Sequence, residues 1–285
     1  MIITNDKFLD DFIQRSLDED VGEGDHSSLA CIPSEVKGKA ELIIKEKGIF
    51  AGMEIARRIF HKVDELIVFD PFINDSDIVT PGDIAFTVEG CAQSILKAER
   101  LVLNILQRMS GIATQTCKHV KKIKGLDTKI LDTRKTTPGM RMLEKAAVKI
   151  GGGKNHRMGL FDMIMLKDNH IDYAGGIEKA IDATVAYLNK NNKQLKIEIE
   201  ARSLSDIQKI MNHGKIDIIL LDNFSVEDTK KAVELINGKY QTESSGGITI
   251  DTLKQYAECG VDYISIGALT HQFKSLDMSL KAKIK

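Results

Sequence analysis

KIEIEARSLSDIQKIMNHGKIDIILLD (196–222) holds one strand-plus-helix unit and the first strand of the next. KIEIE (196–200) and DIILLD (217–222) are apolar runs of strand length, and the residues between them carry helical spacing. The same alternation recurs at KILDT (129–133), MIMLK (163–167), KYQTES (239–244) and DYISIG (262–267). The ends of the last five runs lie 33, 22, 22 and 23 residues apart. Strands that alternate with helices at this interval build a parallel sheet with right-handed crossovers. Six such units predict an open α/β barrel, an incomplete relative of the eight-fold one. No repeat of solenoid type is present.

Upstream the pattern differs. Asn5 is placed to cap a helix with Phe8, Leu9, Phe12, Ile13 and Leu17 on one side. That helix runs into EDVGEGDHSS (19–28), an acidic, turn-rich stretch without the spacing of a calcium loop. KAELIIKE (39–46), ELIVFD (65–70) and IAFTVEG (84–90) read as strands, with a helix over 52–63. These predict an N-terminal α/β sandwich over 1–110. Residues 93–124 read as a bridging helix, broken or kinked at Ser110-Gly111, which leads into a barrel domain over 111–270.

Composition narrows the function. The chain has 285 residues, 42% of them apolar, and a net charge of -1. It is long enough for a large core, and its charge gives no pull towards nucleic acid or an anionic membrane. No apolar run approaches the roughly 18 residues of a membrane span. The N-terminus carries early acids and no apolar h-region, so it does not read as a signal peptide. Cys31, Cys91, Cys117 and Cys259 are far apart and form no CxxC pair, which speaks against zinc and disulfides and fits a reduced cytoplasm.

In barrels of this class the chemistry collects at the C-terminal strand ends. The first strand ends in Arg134 and Lys135, the second in Lys167, the third in Glu200 and the fourth in Asp222. The fifth runs into Ser244, Ser245, Gly246 and Gly247, the sixth into Gly267 and Ala268. Residues 129–170 carry nine Lys or Arg against four Asp or Glu, a local +5 that leaves -6 on the rest. Basic and acidic strand ends beside small turns suit an anionic sugar phosphate. Solvated loop residues are the bland alternative. SSGG read alone marks an ordinary turn; its place after a late strand favours backbone N–H groups that cradle a phosphate. GGGKNHRMG (151–159) is no regular element and no Walker loop, and its His156-Arg157 pair suits either a structural hydrogen bond or a carboxylate. The two basic ends then fall on neighbouring strands, with His156-Arg157 on the loop between them.

The block DTRKTTPGMRMLEKAAVKIGGGKNHRMGLFDMIMLKDNHI (132–171) resembles the central signature of the quinolinate phosphoribosyltransferases. The resemblance extends, in order, through EDVGEGDHSS (19–28), AERLVLNILQRMSGIAT (98–114), IEIEARS (197–203), LLDNFS (220–225), ESSGGI (243–248) and SIGALTHQ (265–272). Two positions depart from it, His26 where an apolar or β-branched residue is expected and Lys149 where arginine is common.

The resemblance implies an N-terminal α/β sandwich, an open α/β barrel and a tail over 271–285 that returns to the first domain. It implies a homodimer, sometimes assembled further, with each active site shared between subunits. The implied substrates are quinolinate and phosphoribosyl pyrophosphate with Mg2+. The implied products are nicotinate mononucleotide, pyrophosphate and CO2. Arg134, His156 and Arg157 would clamp the quinolinate carboxylates, joined by Arg100 from the partner subunit. Lys135 and Lys167 would lie between quinolinate and the pyrophosphoryl end. Glu200 and Asp222 would serve the ribose and the magnesium, directly or through water. Ser245, Gly246, Gly267 and Ala268 would cradle the 5-phosphate. Rival readings are a nicotinate-specific phosphoribosyltransferase, a related barrel attached to metal uptake, and a non-catalytic phosphate-binding barrel.

Overall fold

The computed structural model describes residues 6–283, so the Asn5 cap and the last two residues of the tail lie outside the described residues. The chain forms two compact units. One comprises Met1–Cys117, Thr136–Gly152 and Leu269–Lys285, the other Lys118–Lys135 and Gly153–Ala268.

In the first unit, α1 (Asp6–Val21) buries Leu9, Ile13 and Leu17, the stripe expected of an amphipathic helix. The acidic stretch after it turns into a short helix, α2 (His26–Cys31), because Asp25 accepts the Ser28 N–H as its cap. A four-stranded sheet uses β1 (Lys37–Ile44), β3 (Val68–Pro71) and β5 (Ile84–Cys91), while β2 (Gly48–Ile49) and β4 (Ile78–Val79) pair separately. The final strand, Met278–Ala282, lies antiparallel to β1, with Leu280 opposite Leu42. Helix α3 (Met53–Val63) buries Ile55, Ala56, Ile59 and Phe60, and Phe60, Phe69 and Phe86 cluster with ring centroids 4.6–6.0 Å apart.

Helix α4 (Ala92–Lys122) runs through Ser110-Gly111 without the break that was one of the two sequence expectations there. Both residues answer to packing instead. Ser110 Oγ accepts the Ala51 N–H at 3.0 Å, and a Cβ on Gly111 would lie 2.4 Å from the Lys274 carbonyl oxygen. Helix α5 (Arg141–Ile150) also belongs to this unit, where buried Glu144 receives the Arg108 guanidinium.

The second unit is a six-stranded parallel sheet of β6 (Lys129–Leu131), β7 (Ile164–Leu166), β8 (Ile197–Ala201), β9 (Ile218–Asp222), β10 (Gln241–Ser245) and β11 (Tyr263–Ser265). The order is β6-β11-β10-β9-β8-β7. All five β8 residues are buried, as expected of a strand covered on both faces. Helices α6 (Asp168–Ala174), α7 (Ile177–Lys190), α8 (Leu204–His213), α9 (Val226–Ile236) and α10 (Leu253–Glu258) follow β7 to β10. Ser203 and Ser225 cap α8 and α9. The open α/β barrel is therefore present. One expectation fails: β6 and β7 are consecutive in the chain but occupy opposite edges of the sheet order, so the two basic strand ends are not on hydrogen-bonded neighbours. The loop between them is tied to β6 instead, since Lys154 N–H donates to Ile130 O and Asp132 N–H to Lys154 O.

Candidate active site

Most of the candidate residues lie in the second unit. Adjacent strands β7, β8 and β9 bring Lys167, Glu200 and Asp222 to one end of the sheet. Lys167 Nζ lies 2.9 Å from Glu200 Oε1, and the Asp168 N–H at the start of α6 donates to Glu200 Oε2 at 2.9 Å. Asp222 accepts from the Asn223 amide at 2.9 Å. Burial holds the Asp222 carboxyl above its ordinary range; the Glu200 charge adds to this, and Asn223 and Lys167 offset part of it.

The β6 end forms the cationic side. Asp132, fully buried, accepts the His156 N–H at 2.9 Å and also the Asn155 side chain, which orders the loop after the glycines. Arg134 Nε is buried with no hydrogen-bond partner among the described residues. Arg157 donates to the Met163 carbonyl at 3.2 Å. Burial pushes the Arg157 guanidinium below its ordinary range, and the neighbouring Arg134 charge adds to it, against the pull of Glu198 and Asp162. Two guanidinium groups close enough to repel, one with a buried N–H left over, describe a place for an anion. Lys135 follows on the exposed side of the same loop.

His156 sits lower. Its side chain is 7% exposed, with Nε2 2.9 Å from Glu198 Oε2 on β8 and 3.4 Å from Glu243 Oε2 on β10. Burial alone would disfavour its charged form, but hydrogen bonding and charge from Glu198 and Glu243 outweigh it and push the group up to about 10. Glu198 is raised to about 7 by burial first and then by Glu243. The cluster as a whole therefore keeps an extra proton at neutral pH. The Arg157 backbone N–H lies 2.7 Å from His156 Nδ1. These three side chains offer ligand atoms within 4.8 Å of one another, a spacing an ion could also span.

The small turns lie at the remaining strand ends. Gly246 has φ +96°, and a Cβ there would lie 2.2 Å from Asn223 Oδ1, so only glycine fits. A Cβ on Gly247 would meet nothing within 4 Å. Ser245 pairs with Asp222 across β9 and β10, and Gly267 and Ala268 directly follow β11. Arg100 is exposed on α4, in the first unit. His26 is exposed beside Glu23. Sequence reasoning missed Asp132, Glu198 and Glu243. The alternation in IEIE was the available signal, since it points Glu198 and Glu200 to the same face of β8.

An open parallel α/β barrel with basic, acidic and glycine strand ends is the architecture of a sugar-phosphate enzyme. Residues 25–110 match the family "Quinolinate phosphoribosyl transferase, N-terminal domain", and residues 112–281 match the corresponding C-terminal domain. The chain is 47% identical over 284 residues to the chloroplastic carboxylating nicotinate-nucleotide pyrophosphorylase of Oryza sativa subsp. japonica, covering 94% of this chain and 76% of that one. It is 41% identical over 262 residues to the probable carboxylating nicotinate-nucleotide pyrophosphorylase of Bacillus subtilis (strain 168), with coverage of 92% and 89%. The crystal structure of NadC from Streptococcus pyogenes superposes with a TM-score of 0.92 at 39% identity, over 98% of this chain and 97% of that one. The chain belongs to the quinolinate phosphoribosyltransferase family. Among the described residues, no helix is long and apolar enough to cross a membrane.

Proposed function

We propose that this chain transfers the phosphoribosyl group of phosphoribosyl pyrophosphate to quinolinate and releases CO2, pyrophosphate and nicotinate mononucleotide, a step of de novo NAD biosynthesis. The observation that carries this reading is the pair Arg134 and Arg157: the Arg134 Nε is buried with no hydrogen-bond partner among the described residues, beside the buried Arg157 guanidinium on which its charge acts. A dicarboxylate is the complement of planar, bidentate donors. A monoacid such as nicotinate would leave part of that charge unanswered.

In the reaction the pyridine nitrogen forms a bond to the anomeric carbon as the bond to pyrophosphate breaks. Positive charge grows on the ribose ring. Glu200 and Asp222 stabilise it electrostatically, and the Asp168 N–H and Lys167 keep the Glu200 carboxylate aimed. Lys135 and Lys167 meet the departing pyrophosphate. The backbone at Ser245, Gly246, Gly267 and Ala268 receives the 5-phosphate. Once the ring nitrogen is quaternary, the adjacent carboxylate leaves as CO2, and the electron pair stays beside the cation until a proton is taken up. No single residue is assigned as its donor.

Glu200 and Asp222 offer hard carboxylate oxygens on adjacent strands, which fits magnesium. Both Glu200 oxygens already accept protein donors, so the ion would be shared with substrate phosphates and water rather than caged by protein. Bound there, magnesium would neutralise charge on the leaving pyrophosphate. The reading includes a homodimer in which exposed Arg100 is supplied to the neighbouring subunit's barrel. The four free, scattered cysteines fit a reducing cytoplasm. The test is product analysis: quinolinate, phosphoribosyl pyrophosphate and Mg2+ should yield nicotinate mononucleotide and pyrophosphate in equal amounts. No nucleotide product would refute the activity.

A further inference from the structure

Glu198 and Glu243 sit in the middle of β8 and β10, at 0% and 1% exposure, with β9 between their strands. A carboxylate placed so deep is costly unless it is paired, and the group both of them face is the His156 ring. That ring is held at both nitrogens: Nδ1 lies 2.7 Å from the Arg157 backbone N–H, and Nε2 faces the two glutamates. The backbone N–H of His156 donates to Asp132. Asp132 lies against the His156 backbone, and the adjacent Arg157 feels the charges of Arg134, Glu198 and Asp162. A ring so engaged has no nitrogen left to offer a ligand without giving up a protein contact.

We propose that His156 is a positioning residue rather than a substrate-binding one, and that Glu198 and Glu243 anchor its ring so that it fixes the backbone and guanidinium of Arg157 for the incoming carboxylate. The role of Arg157 rests on the proposed function; the anchoring of the ring does not. Asp132 completes the device, because it holds the loop from the β6 side.

The test uses the full-length protein and two measurements. Nitrogen NMR of the histidine side chains should find His156 Nε2 protonated at neutral pH, unchanged in protonation when quinolinate is added, and altered in Glu243→Gln. In kinetics, Glu243→Gln should raise the quinolinate KM about tenfold, the scale of a weakened charged hydrogen bond, while the KM for phosphoribosyl pyrophosphate stays within about twofold. The unchanged second KM reports that the variant is folded. The proposal is overturned by a His156 Nε2 that carries no proton, by a His156 resonance that shifts on quinolinate binding as a direct donor would, by a tightly bound metal in the cluster, or by an unaltered quinolinate KM. If the wild-type protein releases no CO2 from quinolinate, the substrate reading fails, and the NMR result still decides the anchoring.

Discussion

Lys167 Nζ and Glu200 Oε1 lie 2.9 Å apart on adjacent strands, the lysine half exposed and the glutamate buried. The lysine therefore pairs with a buried carboxylate while keeping a face open to a ligand. Lys167→Ala removes that pairing and that open cation, and leaves Glu200 with the Asp168 N–H among the described residues. Turnover should fall by about a hundredfold, the scale of a lost electrostatic contact in the transition state. Lys167→Arg should not restore it, because the planar fork does not replace a compact ammonium. Steady-state kinetics checks both.

Arg134→Ala and Lys135→Ala should each lower turnover strongly. Arg134→Lys should recover little, since bidentate geometry is what the site lacks when the guanidinium is removed. Near-normal rates in either alanine variant would contradict the assignment.

Stability should respond to alkaline pH through the buried cluster. His156 is raised from 6.5 to about 10 on folding, so its contribution is complete below pH 6.5 and is lost as pH rises through 10. Glu198, raised from 4.5 to about 7, acts with the same sign: its contribution is complete below pH 4.5 and is lost as pH rises through 7. Between pH 6.5 and 10.5 the wild-type protein should therefore lose more unfolding free energy than His156→Gln, by an amount on the order of a few kcal/mol. Urea unfolding across that range reads the difference. Parallel slopes in the two proteins would contradict it.

Two glycines carry geometric constraints. Gly246→Ala forces a side chain into a left-handed backbone and against Asn223, and should cost about 1–3 kcal/mol while raising the KM for phosphoribosyl pyrophosphate. Gly111→Ala drives a methyl group into the Lys274 carbonyl and should also cost about 1–3 kcal/mol, with no direct effect on either KM. Denaturant midpoints and kinetics separate the two.

Much of this was legible in the sequence. The period of apolar runs predicted six parallel strands, and the residues at or just past the run ends placed Lys167, Glu200, Asp222 and the Gly246 turn at the strand ends. Three things were not legible. Strand order is a property of closure, so chain neighbours β6 and β7 could not be seen to lie at opposite edges. Ser110-Gly111 looks like a helix breaker, but its cause is a backbone 163 residues away that comes within contact of Gly111. Buried polar residues were invisible for a similar reason: Glu198 and Glu243 look solvated in an alternating strand, and only the folded sheet turns them inward on His156.

The central claim is a carboxylating phosphoribosyl transfer, and its most direct measurement follows one atom. Quinolinate labelled in the carboxylate next to the ring nitrogen is supplied with phosphoribosyl pyrophosphate and Mg2+, and nicotinate is run in parallel. The account predicts labelled CO2 in equal amount to nicotinate mononucleotide from quinolinate, and little nucleotide from nicotinate. Efficient use of nicotinate with no labelled CO2 from quinolinate would contradict it.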